Sequence, residues 1–316
     1  MAKKKGKIKV RDIVTEKIMD ALKAGVVPWR RPWAITGRHK NVTRGNAYRG
    51  INVWLLEAAA ASRGYERPLW LTFNQAKKWG GTIKPEEAKR NGGPGPTLIV
   101  FWKWLEKSVE DDDGETEVRR FPMMRYYNVW NVAQVDGIED RLPEEEEPKV
   151  VDPIEAGEAV IDGMPKKPTM HWGGDRACYW PLGDRIDLPE RDVFESAAAY
   201  YATAFHELAH STGHEARLGR FDSTDVRNAI FGSTSYSEEE LVAEMTAAFV
   251  MAEAGIETPE RLDNSAAYIA SWLKRLADDH NLVIVAAQAA QKAADWILDA
   301  EAKKASPEPV ELKEAA

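Results

Sequence analysis

At 316 residues, 44% of them apolar and 30% charged, the chain has room for about two cored domains and the balance of a soluble globular protein. No apolar run approaches the roughly 20 residues that cross a bilayer, and the basic start MAKKKGKIKV lacks the apolar stretch of a secretory signal. The single cysteine, Cys178, excludes an internal disulfide and fits a reducing cytoplasm.

The net charge of −8 conceals a split: residues 1–136 hold 26 Lys/Arg against 15 Asp/Glu, a net of +11, and the remainder carries −19. Eight of the twelve tryptophans lie in the basic part. Such asymmetry points to two units with different partners, the basic one polyanionic.

In chain order, Val10, Ile13, Val14, Ile18 and Leu22 recur at helical spacing before Gly25. The glycine-punctuated NVTRGNAYRGIN (41–52) reads as a loop, and VWLLEAAAASRG (53–64) as a helix ending at Gly64. PLWLTF predicts a short strand, and Thr72 with Gln75 a capping box for the helix FNQAKKW. The β-prone runs 97–105 and 123–132, joined by the acidic EDDDGE, predict a hairpin with exposed aromatics on an α+β unit.

The acidic, proline-bearing stretch 137–153 reads as a linker between a first domain over 1–136 and a second over 154–305, with residues 306–316 a disordered tail. In the second domain CYWPLGDRIDLP (178–189) predicts two strands turning at Gly183-Asp184. DRIDLP is a natural edge for an extended peptide. Helices are expected over 190–212, over 236–255, and twice between 265 and 302.

The centre of that second domain is TAFHELAHSTGH (203–214). His206 and His210, four apart, lie about 40° from each other around a helix, so both imidazoles share a side. That pair suits Zn²⁺, with Mn²⁺ the alternative, and the intervening Glu207 suits a general base. For a third ligand the metzincin pattern needs His ten residues after the first, where this chain has Ala216. A glutamate from a later helix is the other solution. EELVAE (239–244) offers Glu240 as ligand, or Glu239 in its place, with Glu244 holding a histidine's second ring nitrogen. Capping-box spacing from Ser237 gives Glu240 a competing structural role. His214 is assigned beside the ligands rather than among them, and Tyr236 is a candidate oxyanion stabiliser. His39, His171 and His280 read as ordinary core or surface residues.

In the basic unit VPWRRPW sets Arg30 and Arg31 between Trp29 and Trp33, and the next loop adds Arg44, Tyr48 and Arg49. Lys77, Lys78 and Lys103 extend the candidate contacts. Guanidinium groups pair with phosphates while aromatic faces stack on unpaired bases, a combination that favours single-stranded DNA.

Across nearly its whole length the chain resembles the ArdC-type antirestriction proteins of conjugative plasmids. PWRRPW, YRGINVWLL, WLTFNQAKKWGG and RYYNVWNVAQVDGI carry the likeness in the first half, and GDRIDLP, YYATAFHELAHSTGH, RLGR and YSEEELVAEMTAAF in the second. The resemblance implies a single-stranded-DNA-binding domain related to a segment of TraC primases, followed by a zincin-like metallopeptidase domain. It implies His206, His210 and Glu240 as metal ligands, Glu207 as the catalytic glutamate, and protection of incoming plasmid DNA from restriction. Between Lys84 and Pro96 the chain carries KPEEAKRNGGPGP where that family is expected to have a short turn.

Three functions remain open at this stage. The protein is an antirestriction factor that coats incoming single-stranded DNA and whose metal domain hydrolyses, or once hydrolysed, peptide bonds, with restriction enzyme subunits or other DNA-bound proteins as substrates; a DNA-targeted metalloprotease clearing proteins from DNA; or a DNA-binding protein whose metal is structural.

Overall fold

The computed structural model describes residues 9–30, 37–110, 116–144, 151–221, 234–257 and 266–300, and of these all side chains except those of 104–122 and 234–237. The chain forms two units. Among the described residues, one holds 9–30, 37–110, 116–144 and 266–285, the other 151–221, 234–257 and 286–300.

The first unit begins with α1 (Val10–Lys23), which buries Val14, Ile18, Ala21 and Leu22 along one stripe. After β1 (Lys40–Asn41) comes α2 (Ile51–Arg63), closed by Gly64 in the left-handed conformation at φ 67°. The strand β2 (Leu69–Leu71) leads into α3 (Phe73–Lys78), whose Thr72–Gln75 capping box forms as its spacing predicts. Then follow β3 (Thr82–Ile83), the long hairpin β4 (Thr97–Glu110) and β5 (Thr116–Asn131), and β6 (Val135–Asp136).

The main sheet runs β1-β2-β5-β4, with β3 and β6 paired separately. β4 is therefore an outer strand. At Val100 the buried Asn52 side chain of α2 takes both main-chain groups, donating to the carbonyl at 2.8 Å and accepting from the N–H at 2.7 Å. A helix side chain thus satisfies the strand edge that would otherwise invite pairing.

The second unit opens with α4 (Pro153–Gly163), a helix the sequence reading did not assign although its start is marked in the sequence. Asp152 caps Ile154 N–H at 2.8 Å, and Pro153 occupies the first turn. A three-stranded sheet follows, of β7 (Thr169–Trp172), β8 (Cys178–Trp180) and β9 (Arg185–Leu188), in the order β7-β9-β8. The expected β8–β9 turn forms, antiparallel, while β7 joins parallel to β9. Two helices complete this part, α5 (Ala197–Ser211) and α6 (Thr234–Ala254). α5 starts seven residues later than the expected Glu190, because Ser196 Oγ accepts from Ala199 N–H and sets the cap there. Gly157 of α4 lies against the Tyr201 ring so closely that a methyl group would collide with it, which is how α4 and α5 come together.

The chain ends with α7 (Ala266–Asp278) and α8 (Leu282–Ile297). By its contacts α7 lies with the first unit, although the sequence reading placed it in the domain over 154–305. Trp29 packs edge-on against Trp272 of α7 at 6.4 Å and against Trp54 of α2 at 6.5 Å, and its Nε1–H donates to Tyr268 Oη at 3.2 Å. At the end of α7, Thr15 donates to His280 O at 2.7 Å and His280 Nδ1 lies 3.0 Å from Asp12. The expected tail 306–316 lies outside the described residues.

Candidate metal centre and nucleic-acid interface

The metal site rests on the amphipathicity of α5. Tyr201, Ala204, Phe205 and Leu208 form its core stripe, all fully buried. His206 and His210 share the neighbouring face, and α6 packs along it. α6 begins at Thr234, so Ser237 lies inside the helix rather than at its cap and Glu240 is free of the competing capping role.

His206 Nε2 and His210 Nε2 face each other at 3.1 Å. The Glu240 carboxylate closes the triangle, 3.5 Å from the first and 3.4 Å from the second. Donors about 2.1 Å from a common tetrahedral centre lie about 3.4 Å apart. These three sit at that spacing, and they form the one cluster among the described residues with the donors to hold a metal. Two imidazoles and a carboxylate suit a borderline divalent cation.

The charges agree. Burial works against a charged His210, yet the carboxylates of Glu239 and Glu240 outweigh it and push its pKa up to about 10. For Glu240 burial works in the opposite sense, and His206 and His210 hold it well below the usual carboxylate range. The same carboxylates that favour a proton on His210 in the metal-free protein would favour a divalent cation in its place.

Glu207 is 8% exposed, and its Oε2 accepts from the main-chain N–H of Tyr179 at 2.7 Å. One carboxylate oxygen is thereby fixed by β8, leaving the other outside that bond. The sheet order also corrects the peptide-edge expectation for DRIDLP. β9 is the central strand and has no open edge, whereas β8, next to Glu207, is an outer strand.

The group against the second ring nitrogen of His210 is Glu239, the fallback ligand of the sequence reading, whose Oε1 lies 3.5 Å from Nδ1. Along a helix Glu239 adjoins Glu240 by one step of about 100°, enough to reach the far side of the same imidazole. His214 lies in the turn after α5, its Nδ1 accepting from Ala216 N–H at 3.1 Å, and it is no part of the ligand cluster. In that turn the buried Arg217 binds Asp184, with Tyr179 Oη donating to the same carboxylate at 2.9 Å. The Tyr236 side chain lies outside the described residues.

The nucleic-acid candidates divide. Trp29 is 1% exposed and has no face to offer a base, so its assignment as a stacking residue is corrected to core. Arg30 lies 3.8 Å over the Tyr268 ring, and Tyr48 packs, half-buried, against the cluster around Trp70. Arg44, Arg49, Lys77, Lys78 and Lys103 are exposed. Arg31 and Trp33 lie outside the described residues.

Besides Phe73 of α3 at 56%, the exposed aromatics of this unit gather on the β4–β5 ribbon: Phe101 at 48%, Trp102 at 50%, Tyr126 and Tyr127 at 49% each. Opposed residues of an antiparallel pair share a face. With Phe101 opposite Arg125, Ile99 opposite Tyr127 and Lys103 opposite Met123, one face collects Phe101, Lys103, Arg125 and Tyr127. Phe101 and Tyr127 meet edge-to-face at 5.4 Å. The sequence signal was present as FWK on one strand and RYY on the other, two aromatics beside a cation on each.

Residues 158–289 match the family model of zincin-like metallopeptidases, and residues 8–130 match the N-terminal domain of the anti-restriction factor ArdC. The chain is 35% identical over 310 residues to the DNA primase TraC of Escherichia coli, covering 93% of this chain but only 20% of the primase. It is 34% identical over 296 residues to the uncharacterized protein y4eC of Sinorhizobium fredii, with 90% of each covered. The crystal structure of metal-free antirestriction ArdC from the R388 plasmid superposes with a TM-score of 0.71 at 35% identity, covering 94% of this chain and 99% of that one. Its Mn(II)-bound structure gives 0.67 at the same identity, covering 92% and 98%. With both domain models matched in order and a full-length likeness on either side, the chain belongs to the ArdC antirestriction family.

Proposed function

We propose that the protein binds single-stranded DNA through its first unit, hydrolyses peptide bonds at a zinc site in its second, and so protects incoming plasmid DNA from restriction. The observation that carries the hydrolytic half is the convergence of His206, His210 and Glu240 beside a buried Glu207. A divalent metal held there supplies a Lewis acid that polarises a carbonyl and lowers the pKa of water toward about 7.

The chain's own residues do the rest. Glu207, anchored at one oxygen by Tyr179 N–H, takes the proton from the attacking water and returns it to the leaving amine. The outer edge of β8, which pairs with no strand among the described residues, is where an extended peptide lies beside that carboxylate. The DNA half is supported by the ribbon face of Phe101, Tyr127, Lys103 and Arg125, where bases stack at roughly 1–3 kcal/mol each while the cations meet phosphate.

The test is protection of a transferred plasmid in a restricting host, with single-stranded-DNA affinity and peptide hydrolysis measured on the same variants. Phe101→Ser with Tyr127→Ser is expected to lower DNA affinity and protection together. Glu207→Gln is expected to lower hydrolysis at least about 100-fold and leave DNA binding intact. Wild-type affinity in the ribbon variant defeats the DNA assignment, and near-wild-type hydrolysis in Glu207→Gln defeats the mechanism.

A further inference from the structure

The loop leaving α5 carries one side chain that reaches back to the metal triad. Arg220 grips Glu239 with two fingers, Nε to Oε2 at 3.2 Å and Nη2 to Oε1 at 2.6 Å. Its remaining donors hold the end of α5, Nη1 to Thr212 Oγ1 at 2.6 Å and Nη2 to Ala209 O at 3.0 Å. Arg220 and Glu239 are both less than one-fifth exposed at the side chain, so solvent screens the pair weakly. The oxygen it grips, Oε1, is the one facing His210 Nδ1 at 3.5 Å.

From this geometry we infer that Arg220 is a positioning residue for the metal centre, acting through Glu239 on the ring of His210. A histidine binds metal through Nε2 only when its proton sits on Nδ1, and a carboxylate opposite Nδ1 selects that tautomer and fixes the ring plane. A lone glutamate has several rotamers, and a swing of its carboxylate would release the ring. The planar guanidinium holds both oxygens in one orientation, a task an ammonium cannot match. Because the same guanidinium holds Ala209 O, next to His210, it fixes the carboxylate and the helix bearing the ligand in one frame. Glu239 thereby divides labour with its neighbour, Glu240 facing the ion and Glu239 the ring.

The inference rests on the metal reading of the triad, and the experiment separates the two. Zn²⁺ and Mn²⁺ affinities of the full chain are measured by chelator competition, and the visible bands of the Co²⁺-loaded protein are recorded. Wild type, Glu239→Gln, Arg220→Met and Arg220→Lys are compared, each with the melting temperature of its metal-free form.

Glu239→Gln and Arg220→Met are expected to weaken Zn²⁺ binding about 10–100-fold and to shift the Co²⁺ bands, with Arg220→Lys between them and wild type. Glu239→Gln keeps the size and the helix, so it reports on the ring contact even where Arg220→Met unfolds. Metal affinity within twofold of wild type in Glu239→Gln overturns the proposal. A lowered melting temperature with unchanged metal affinity in Arg220→Met overturns it too, leaving the arginine a tie for the end of α5. A wild-type chain that takes up neither metal sinks the metal reading itself, and this inference with it.

Discussion

The first unit holds a histidine beside a glutamate, and so does the second, yet the two arrangements mean opposite things. His39 is buried, with Nε2 3.0 Å from Glu57 Oε2 and Nδ1 accepting from the Trp70 indole at 3.0 Å. Indole N–H can only donate, so the ring proton sits on Nε2 and goes to Glu57. Each donor meets an acceptor, and nothing is missing. In the second unit His206 and His210 turn two ring nitrogens toward each other, with a carboxylate closing on both. Acceptors face acceptors there, and only a proton or a cation reconciles them. Residue type and proximity do not distinguish a structural histidine from a ligand; complementarity of donors and acceptors does.

Substitutions break that comparison most sharply at the metal site. His206→Ala is expected to abolish metal binding, and Glu207→Gln to lower hydrolysis by about 10²–10⁴-fold with metal affinity retained. Metal titration beside a peptide-cleavage assay checks both. Removal of metal by a chelator is expected to stop hydrolysis without releasing single-stranded DNA, which a filter-binding assay reads.

Next in size is the core of the first unit. Trp29→Ala is expected to cost about 3–5 kcal/mol, because the indole fills the space between Trp54 and Trp272. Urea unfolding measures it. A fragment of residues 1–136 lacks α7 and should show a comparable loss, which adding back 262–285 as a peptide would partly reverse.

His39→Ala, which leaves the Trp70 N–H without its acceptor, is expected to cost about 1–3 kcal/mol and to leave metal affinity untouched. A metal effect from His39→Ala would collapse the contrast between the two sites. Tyr127→Ala is expected to weaken single-stranded DNA by about 1–3 kcal/mol with little change in stability, and affinity should fall steeply with salt as counterion release predicts.

The smallest effect is the pH dependence of the metal-free protein. The folded state raises His210 above its ordinary value through Glu239 and Glu240. Its contribution to stability is therefore fully present below the unfolded histidine pKa of about 6.5 and is lost as pH rises through about 10. Metal uptake runs the other way, strengthening with pH because the ion displaces a proton. Thermal melts across pH, with and without Zn²⁺, check both signs.

Much of the architecture was legible along the chain because it is set by contacts a few residues apart. The capping box at Thr72, the stop at Gly64 and the shared face of His206 and His210 all follow from helical spacing. One element went unassigned and one was overextended, both for local reasons. α4 went unread despite its Asp-Pro start just at the end of the acidic linker, and α5 was extended past its Ser196 cap.

Other features have no local signature. Trp29 and Tyr127 are both aromatics in basic surroundings, and burial alone makes one a core residue and the other a surface. Glu239 and Glu244 both lie within a turn of Glu240, but which one reaches His210 Nδ1 depends on how α6 packs against α5. The return of α7 to the first unit joins residues more than 200 positions apart. Spacing along a helix is repeated every turn and needs no knowledge of the partner, so a motif confined to one helix can be read from its letters. Which face is covered, and by which distant segment, is settled by the burial of apolar surface across the whole chain, a sum over contacts that no short window of sequence contains.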